Sequence, residues 1–366
     1  MKKERDSGIE LLRIVAIFMV IGVHLLDYGK YYATAMNVDG IVQSSALIFR
    51  IFVRSAVNIF LIISGFFMVR AEFNLKKSYK RILRVYLSIF FYSVVLSIIA
   101  LCIGNEGRLA LGIDKTDLFI TLKMLFPISS QTWYFLTDYI LVMLLVPFVN
   151  LALNSISKKQ YQVLLGILGF IMSIWLFAGS IDVLRPFANG YGYDGISAGK
   201  NVFSFIFMYI IGGYISLHVK SDNKPKLRYL FIAMTALAAN YFIYTRFNEA
   251  LGNKYEPLIY ANPFIIMVAI FIFMFFKDLH FKSKIINTLG GTTLGVYAIS
   301  EFWLVRAWLW NIIDFSKVDC TNIFKNIAMI FVGILAVFFG CAVIELFRAK
   351  LFDKIEFAVK KLIKAE

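Results

Sequence analysis

Apolar runs close to 20 residues long recur from one end of this chain to the other, and they restrict its fold more than anything else in it. A helix needs about 20 such residues to cross a hydrocarbon layer about 30 Å thick, because every backbone hydrogen bond must be made within the segment. Ten runs can be drawn, at 9–28, 44–68, 82–103, 132–153, 161–178, 202–219, 228–246, 260–276, 289–312 and 324–347. Only 17% of the 366 residues are charged, where a soluble domain holds about 25%. The chain therefore reads as all-α: a polytopic membrane helix bundle of about ten transmembrane helices. Residues 1–366 form one integral membrane domain with no separate soluble domain.

The formal net charge of +15 then has a topological meaning. An even number of spans puts both termini on one side, and lysine and arginine concentrate on the cytoplasmic side of membrane proteins. With residues at span edges assigned to the adjoining loop, that side holds 24 Lys and Arg against 10 on the other, while acidic residues number 8 and 10. Both termini are expected in the cytoplasm, and nucleic acid is not an expected partner. The opening "MKKERDSGIELL" leads into a long apolar run without a small-residue cleavage site, which predicts an uncleaved anchor. Cys102 and Cys320 fall on the outer side, where they could pair, and Cys341 within the last span; free thiols are the expectation for all three. Trp303, Trp308 and Trp310 read as an interfacial belt. "GYGYDG" at 190–195 has the spacing of a phosphate-binding glycine motif but lacks its strand–turn–helix setting, so it reads as a loop. Phe187, Tyr191 and Tyr193 there could offer flat faces to a sugar ring.

Ionisable side chains inside a span are expensive and mark function by default. Nine are singled out: Glu10, Arg13, His24, Arg50, Arg54, Asp138, Glu301, Arg306 and Glu345. Arg13 and His24 are eleven residues apart, close to three full turns, so they share a helix face about 16 Å apart along the axis. Glu10, three residues before Arg13, is placed to pair with it. In the second span Arg50, Arg54 and Asn58 recur at four-residue intervals as a polar stripe that Gly65 continues. Depth along the spans sorts these groups into an outer cluster, with His24, Arg50, Arg54, Asp138 and Glu301, and an inner one with Arg13, Arg81 and Arg84. A basic inner mouth below an outer imidazole suits an anionic molecule taken from the cytoplasm and processed further out.

The arginine, ten residues and histidine of the first span resemble the signature of the acyltransferase-3 family of membrane acyltransferases. "FLIISGFFMV" (60–69) looks like that family's Ser-Gly-Phe segment, and "KRILRVYL" (80–87) like its Arg-x-x-Arg element, without the proline that often follows. "TWYFLTDYILVMLLVPFVN" (132–150), which holds Trp133 and Tyr134, resembles its aromatic-rich fourth span.

The resemblance implies transfer of an acyl group, most often acetyl from acetyl-CoA, to a hydroxyl of a cell-surface or lipid-linked carbohydrate. His24 and Arg13 would be the essential pair, and Ser64, Arg81 and Arg84 would bind the donor. Trp133, Tyr134, Arg50, Arg54, Asn58 and Asp138 would line a polar cavity. Where relatives often carry a late histidine this chain has Ser300 followed by Glu301, which could take over that role. His24 would serve as general base or transient acyl carrier. No metal and no permanently bound cofactor is expected; acyl-CoA enters as co-substrate. The expected setting is a cell membrane, the cytoplasmic membrane of a bacterium. Membrane lipid is a partner there. No hydrolase-like domain is expected after the closing "KKLIKAE", so the chain would either act alone or hand the acyl group to a separate extracytoplasmic partner, and a second copy of the chain is a further candidate. The rival readings are a transporter or flippase for a lipid-linked sugar or small anion, and a non-catalytic membrane sensor. Transporters often show repeated halves and broken helices, and neither is visible in the sequence.

Overall fold

A computed structural model describes residues 6–38, 40–179, 181, 184, 199–221, 224–251 and 259–363. The loop motif at 190–195, with Phe187, Tyr191 and Tyr193, lies outside them. Among the described residues the regular structure is helical throughout, with no strand. Seven helices are long and apolar enough to cross a membrane: Ser7–Asp27, Ile41–Met68, Leu75–Ala110, Tyr134–Ser155, Lys158–Gly179, Leu227–Arg246 and Ile323–Lys354. The sixth and eighth expected spans fall on shorter apolar helices, Val202–His218 and Pro263–Lys277.

The first helix, α1 (Ser7–Asp27), begins where Asp6 accepts a hydrogen bond from the Gly8 N–H at 3.0 Å, a side-chain cap for an otherwise unpaired donor. It is the most enclosed span, with 72% of its apolar window buried against 6% for Lys158–Gly179. A helix hydrophobic on all sides but enclosed by protein can carry polar groups that a lipid-facing one cannot. A five-residue helix α2 (Tyr31–Ala35) follows, then the second span.

That span is two helices, α3 (Ile41–Val53) and α4 (Ala56–Met68), broken at Arg54–Ser55. Both the Ser55 N–H and its hydroxyl donate to the Phe52 carbonyl, at 3.2 and 2.9 Å. Back-bonding of this kind disturbs the regular ladder and bends a helix. Next come α5 (Leu75–Ala110), interrupted at Gly104, and the short α6 (Asp117–Leu125). They are followed by α7 (Tyr134–Ser155), α8 (Lys158–Gly179, with a π-helical stretch over Phe170–Trp175), α9 (Val202–His218), α10 (Leu227–Leu251) and α11 (Pro263–Lys277).

The ninth expected span, drawn as one helix over 289–312, is three: α12 (Lys284–Gly290), α13 (Thr293–Ser300) and α14 (Trp303–Ile312). At the first break the Thr292 hydroxyl and N–H both turn to the Leu289 carbonyl. At the second, Glu301 caps α13 and Phe302 is extended, φ −65° and ψ 130°. A final helix α15 (Ile323–Ile363) closes the bundle. Of the three tryptophans expected at an interface only Trp308 is exposed; Trp303 and Trp310 are buried. All three cysteines are free thiols.

Helices α4 and α9 approach so closely that glycine is required on both. A Cβ on Gly65 would lie 1.9 Å from the Tyr209 carbonyl oxygen, and one on Gly212 would lie 2.1 Å from that of Ile62. Small residues that let backbones meet are the usual solution where lipid removes the hydrophobic drive for helix association. Gly65→Ala or Gly212→Ala is expected to cost at least about 1–3 kcal/mol, as overpacking does. Gly166→Ala, on an open face, should cost nothing. Thermal unfolding of the three variants in detergent checks the contrast; equal melting temperatures would contradict the packing.

Candidate functional site

His24 lies near the end of α1 away from Arg13, and its Nε2 is 2.7 Å from Glu301 Oε2. The partner carboxylate is 6% exposed and stands at the C-terminal cap of α13. A helix C-terminus gives no support to negative charge, so support comes from side chains: a hydrogen bond from His24 and the charge of Arg306, 3.9 Å from the same oxygen. The break between α13 and α14 turns Glu301 inward. Trp133 supports it by donating its indole N–H to the Ala298 carbonyl at 3.1 Å.

With Nε2–H donating its hydrogen bond to the carboxylate, the neutral ring presents its lone pair at Nδ1. That nitrogen is buried and has no hydrogen-bond partner among the described residues. A carboxylate that fixes the tautomer and leaves one basic nitrogen free is the arrangement of a general base or nucleophile. Tyr28 stacks on the ring at 5.5 Å with an interplanar angle of 12°, and the Arg306 guanidinium sits 4.3 Å over Tyr28.

Cavities lie on either side of this pair along α1. On the Arg13 side is a cavity of about 290 Å³, lined by Arg13, Ser64, Val85, Phe135, Tyr139, Tyr297 and the Gly290–Gly291 turn, among others. Arg13 is held by Glu10, as the i, i+3 spacing predicts, with Nη1 3.0 and 3.2 Å from the two carboxylate oxygens. The Ser64 hydroxyl donates to the Phe60 carbonyl and lies 3.3 Å from the Tyr139 hydroxyl. A small cavity of about 30 Å³ shares Val85 and Tyr139 with the larger one and is lined by Arg81. Arg84 is exposed and lines neither. On the other side, a cavity of about 470 Å³ is lined by Tyr28, Arg306, Trp303 and Trp310 and by the loop after α5. His24 lines none of these. Tyr297, one helical turn before Glu301, lines the first, and Tyr28, against the His24 ring, lines the last.

The rest of the expected outer cluster divides. Arg50 and Arg54 do not reach His24; they pair with the two oxygens of Asp27, at 2.9 and 2.8 Å. The Arg50 guanidinium also lies 3.8 Å over the Tyr32 ring. Asn58 donates to the Tyr260 carbonyl at 3.1 Å, and the Tyr134 hydroxyl donates to that of Tyr260 at 3.3 Å. Asp138 is half-buried and makes no hydrogen bond or ion pair with the described residues. It lies along the α7 flank that carries the exposed Leu141 and Leu145. Glu345, expected as a buried charge, accepts from Tyr92 and is held by Arg348 at 2.6 Å, away from His24.

Sequence reasoning passed over Asp27, which lies inside the first drawn span, three residues beyond His24 and on nearly the same face. Two arginines four apart in the next span were the signal that an acid must face them. Asp27→Asn should cost about 1–3 kcal/mol, because it leaves two partly buried guanidinium groups uncompensated. A melting curve unchanged from wild type would contradict the pairing.

The fold and the site define a polytopic helical membrane protein with a buried histidine–carboxylate pair between two cavities. Residues 6–346 match the acyltransferase-3 family, described as an acyltransferase domain, and the chain belongs to that family. It is thus a membrane acyltransferase in general character. No curated protein and no solved structure matches the chain.

Proposed function

We propose that this protein moves an acetyl group from cytoplasmic acetyl-CoA to a hydroxyl of a cell-surface or lipid-linked carbohydrate. In this reading ten helices cross a bacterial cytoplasmic membrane, both termini lie inside, and the Arg13 cavity opens toward the cytoplasm. The observation that carries it is the His24–Glu301 pair with its unpartnered Nδ1, set between a cavity holding Arg13 and one lined by aromatic residues.

The donor's phosphates meet Arg81, Arg84 and Arg13, because guanidinium forks match phosphate oxygens. The acyl arm then runs outward past Ser64 toward His24. An acceptor on the far side must reach past Tyr28. As its hydroxyl oxygen attacks the thioester carbon, Nδ1 takes the proton. The C–S bond breaks, and the thiolate leaves with the proton that the imidazolium returns. Arg306, close to both Glu301 and Tyr28, can stabilise negative charge developing on the carbonyl oxygen.

One observation favours the transporter reading. The two expected spans that carry Arg54 and Glu301 are both interrupted at those residues, and broken helices with polar groups at the breaks are common in transporters. Membrane vesicles given acetyl-CoA labelled in the acetyl group separate the two. The enzyme reading expects label on carbohydrate or lipid. Accumulation of unmodified solute with no incorporated label would establish the transporter instead.

A further inference from the structure

The far cavity carries more positive charge than its own carboxylates answer. Lys115, in the loop between α5 and α6, lines it beside Arg306. Lys115 Nζ lies 4.6 Å over the Trp303 ring and 5.2 Å from the Phe119 centroid, and Lys123 Nζ reaches the same Phe119 ring at 5.1 Å. Neither lysine forms an ion pair among the described residues. Asp114 also lines the cavity without pairing to either, and Glu301 meets Arg306 only at 3.9 Å. Burial and the charges of Lys123 and Arg306 push the Lys115 ammonium down to about 8. Burial and the Arg306 charge lower Lys123 as well. Lys115 and Arg306 thus share one cavity, with Lys123 on the Phe119 ring that Lys115 also faces, and an external anion would relieve their mutual repulsion.

The wall is also aromatic, and two of its side chains hold unpaired donors. Trp303 and Trp310 are 7% and 4% exposed, both line the cavity, and both indole N–H groups are buried without an acceptor among the described residues. Buried polar groups of this kind are paired in most proteins. The loop that brings Lys115 in is firmly tied. Arg108, 1% exposed, donates to the Ala100 carbonyl and to Asp117, and the Ser93 hydroxyl donates to the Lys123 and Met124 carbonyls. A volume of about 470 Å³ lies within the range of about 300–1,000 Å³ usual for small-molecule sites.

We propose that this cavity is the acceptor site and that it selects an acidic carbohydrate, holding a carboxylate or phosphate on the sugar beside Lys115 and Arg306 against the Trp303 and Trp310 wall, with Lys123 adding its charge from beside Phe119. This rests on the acyl-transfer reading above, because Tyr28 and Arg306 join the cavity to the His24–Glu301 pair.

The test is equilibrium dialysis of the full chain in detergent with labelled glucuronic acid, glucose 1-phosphate and glucose. At least one anionic sugar should bind about fivefold or more tightly than glucose, with the preference shrinking as salt is added. Whichever arm binds tells carboxylate from phosphate. Lys115→Gln should weaken the anionic sugar by about fivefold, the effect of losing one partly screened charge, Lys123→Gln should weaken it by less, and neither should move glucose. The proposal is overturned if glucose binds as tightly as both anions, or if neither lysine variant changes their affinity. Anion-selective binding without acetyl transfer would sink the enzyme reading alone; transfer to a neutral sugar with no anion selectivity would sink this inference alone.

Discussion

Replacing His24 by glutamine is expected to lower acetyl transfer by about 10³-fold or more while the protein still inserts and folds. General-base assistance by a side chain contributes about 10²–10⁴-fold, and glutamine keeps the size and one hydrogen bond to Glu301 but has no basic nitrogen. The His24 side chain is only 16% exposed, and glutamine nearly fills its volume, so the exchange opens little space in the core. If His24 is a transient acyl carrier instead of a base, the loss is at least as large. Rapid-quench experiments would then trap labelled acetyl on the wild-type protein and none on the variant. Full activity in His24→Gln, with the same elution from size-exclusion chromatography as wild type, contradicts both roles.

The second large effect is expected for Glu301→Gln. An amide can offer Nε2 either its oxygen or its NH2 group, so the tautomer is no longer fixed, and no charge remains to stabilise the imidazolium formed during transfer. Where a triad carboxylate is exchanged for its amide in proteases the loss is about 10⁴-fold; about 10²–10⁴-fold is expected for this pair. The fall should appear in kcat, with KM for acetyl-CoA little changed, because Arg13, Ser64 and Arg81 line cavities that Glu301 does not. A variant changed only in KM would show that Glu301 serves binding and not the proton transfer. Double-mutant analysis sharpens the point: residues acting as one unit lose no more together than singly, so His24→Gln with Glu301→Gln should be about as slow as His24→Gln alone.

The helical class and most spans were legible because run length is set by the solvent, the bilayer. Breaks were harder to see. The interruption at Arg54–Ser55 depends on one hydroxyl returning to a carbonyl three residues back, and that at Glu301–Phe302 on a single extended residue. Neither involves proline, so hydropathy runs straight through both. The eleven-residue spacing placed Arg13 and His24 on one face, and Glu301 lay at the right depth to be His24's partner. Depth alone could not tell which acid meets which base. Asp138 and Glu301 sit at comparable positions in their spans, but one lies on an outer flank of α7 and the other is turned into the bundle by the break after α13. Arg50 and Arg54 were sent toward His24 by the same reasoning, although Asp27 was nearer to hand. The far cavity was invisible because it is assembled from a connecting loop, α14 and the end of α1, which lie far apart in sequence.

In the acyl-transfer reading the donor arrives from the Arg13 side and the acceptor waits beyond His24. Proteoliposomes with the protein in one orientation, given labelled acetyl-CoA on one face at a time and a carbohydrate acceptor on the other, test that directly. Label should reach the acceptor only when the donor is supplied to the face carrying the chain termini, and His24→Gln should abolish it. Equal transfer with the donor on either face, or transfer that survives the loss of His24, would contradict it.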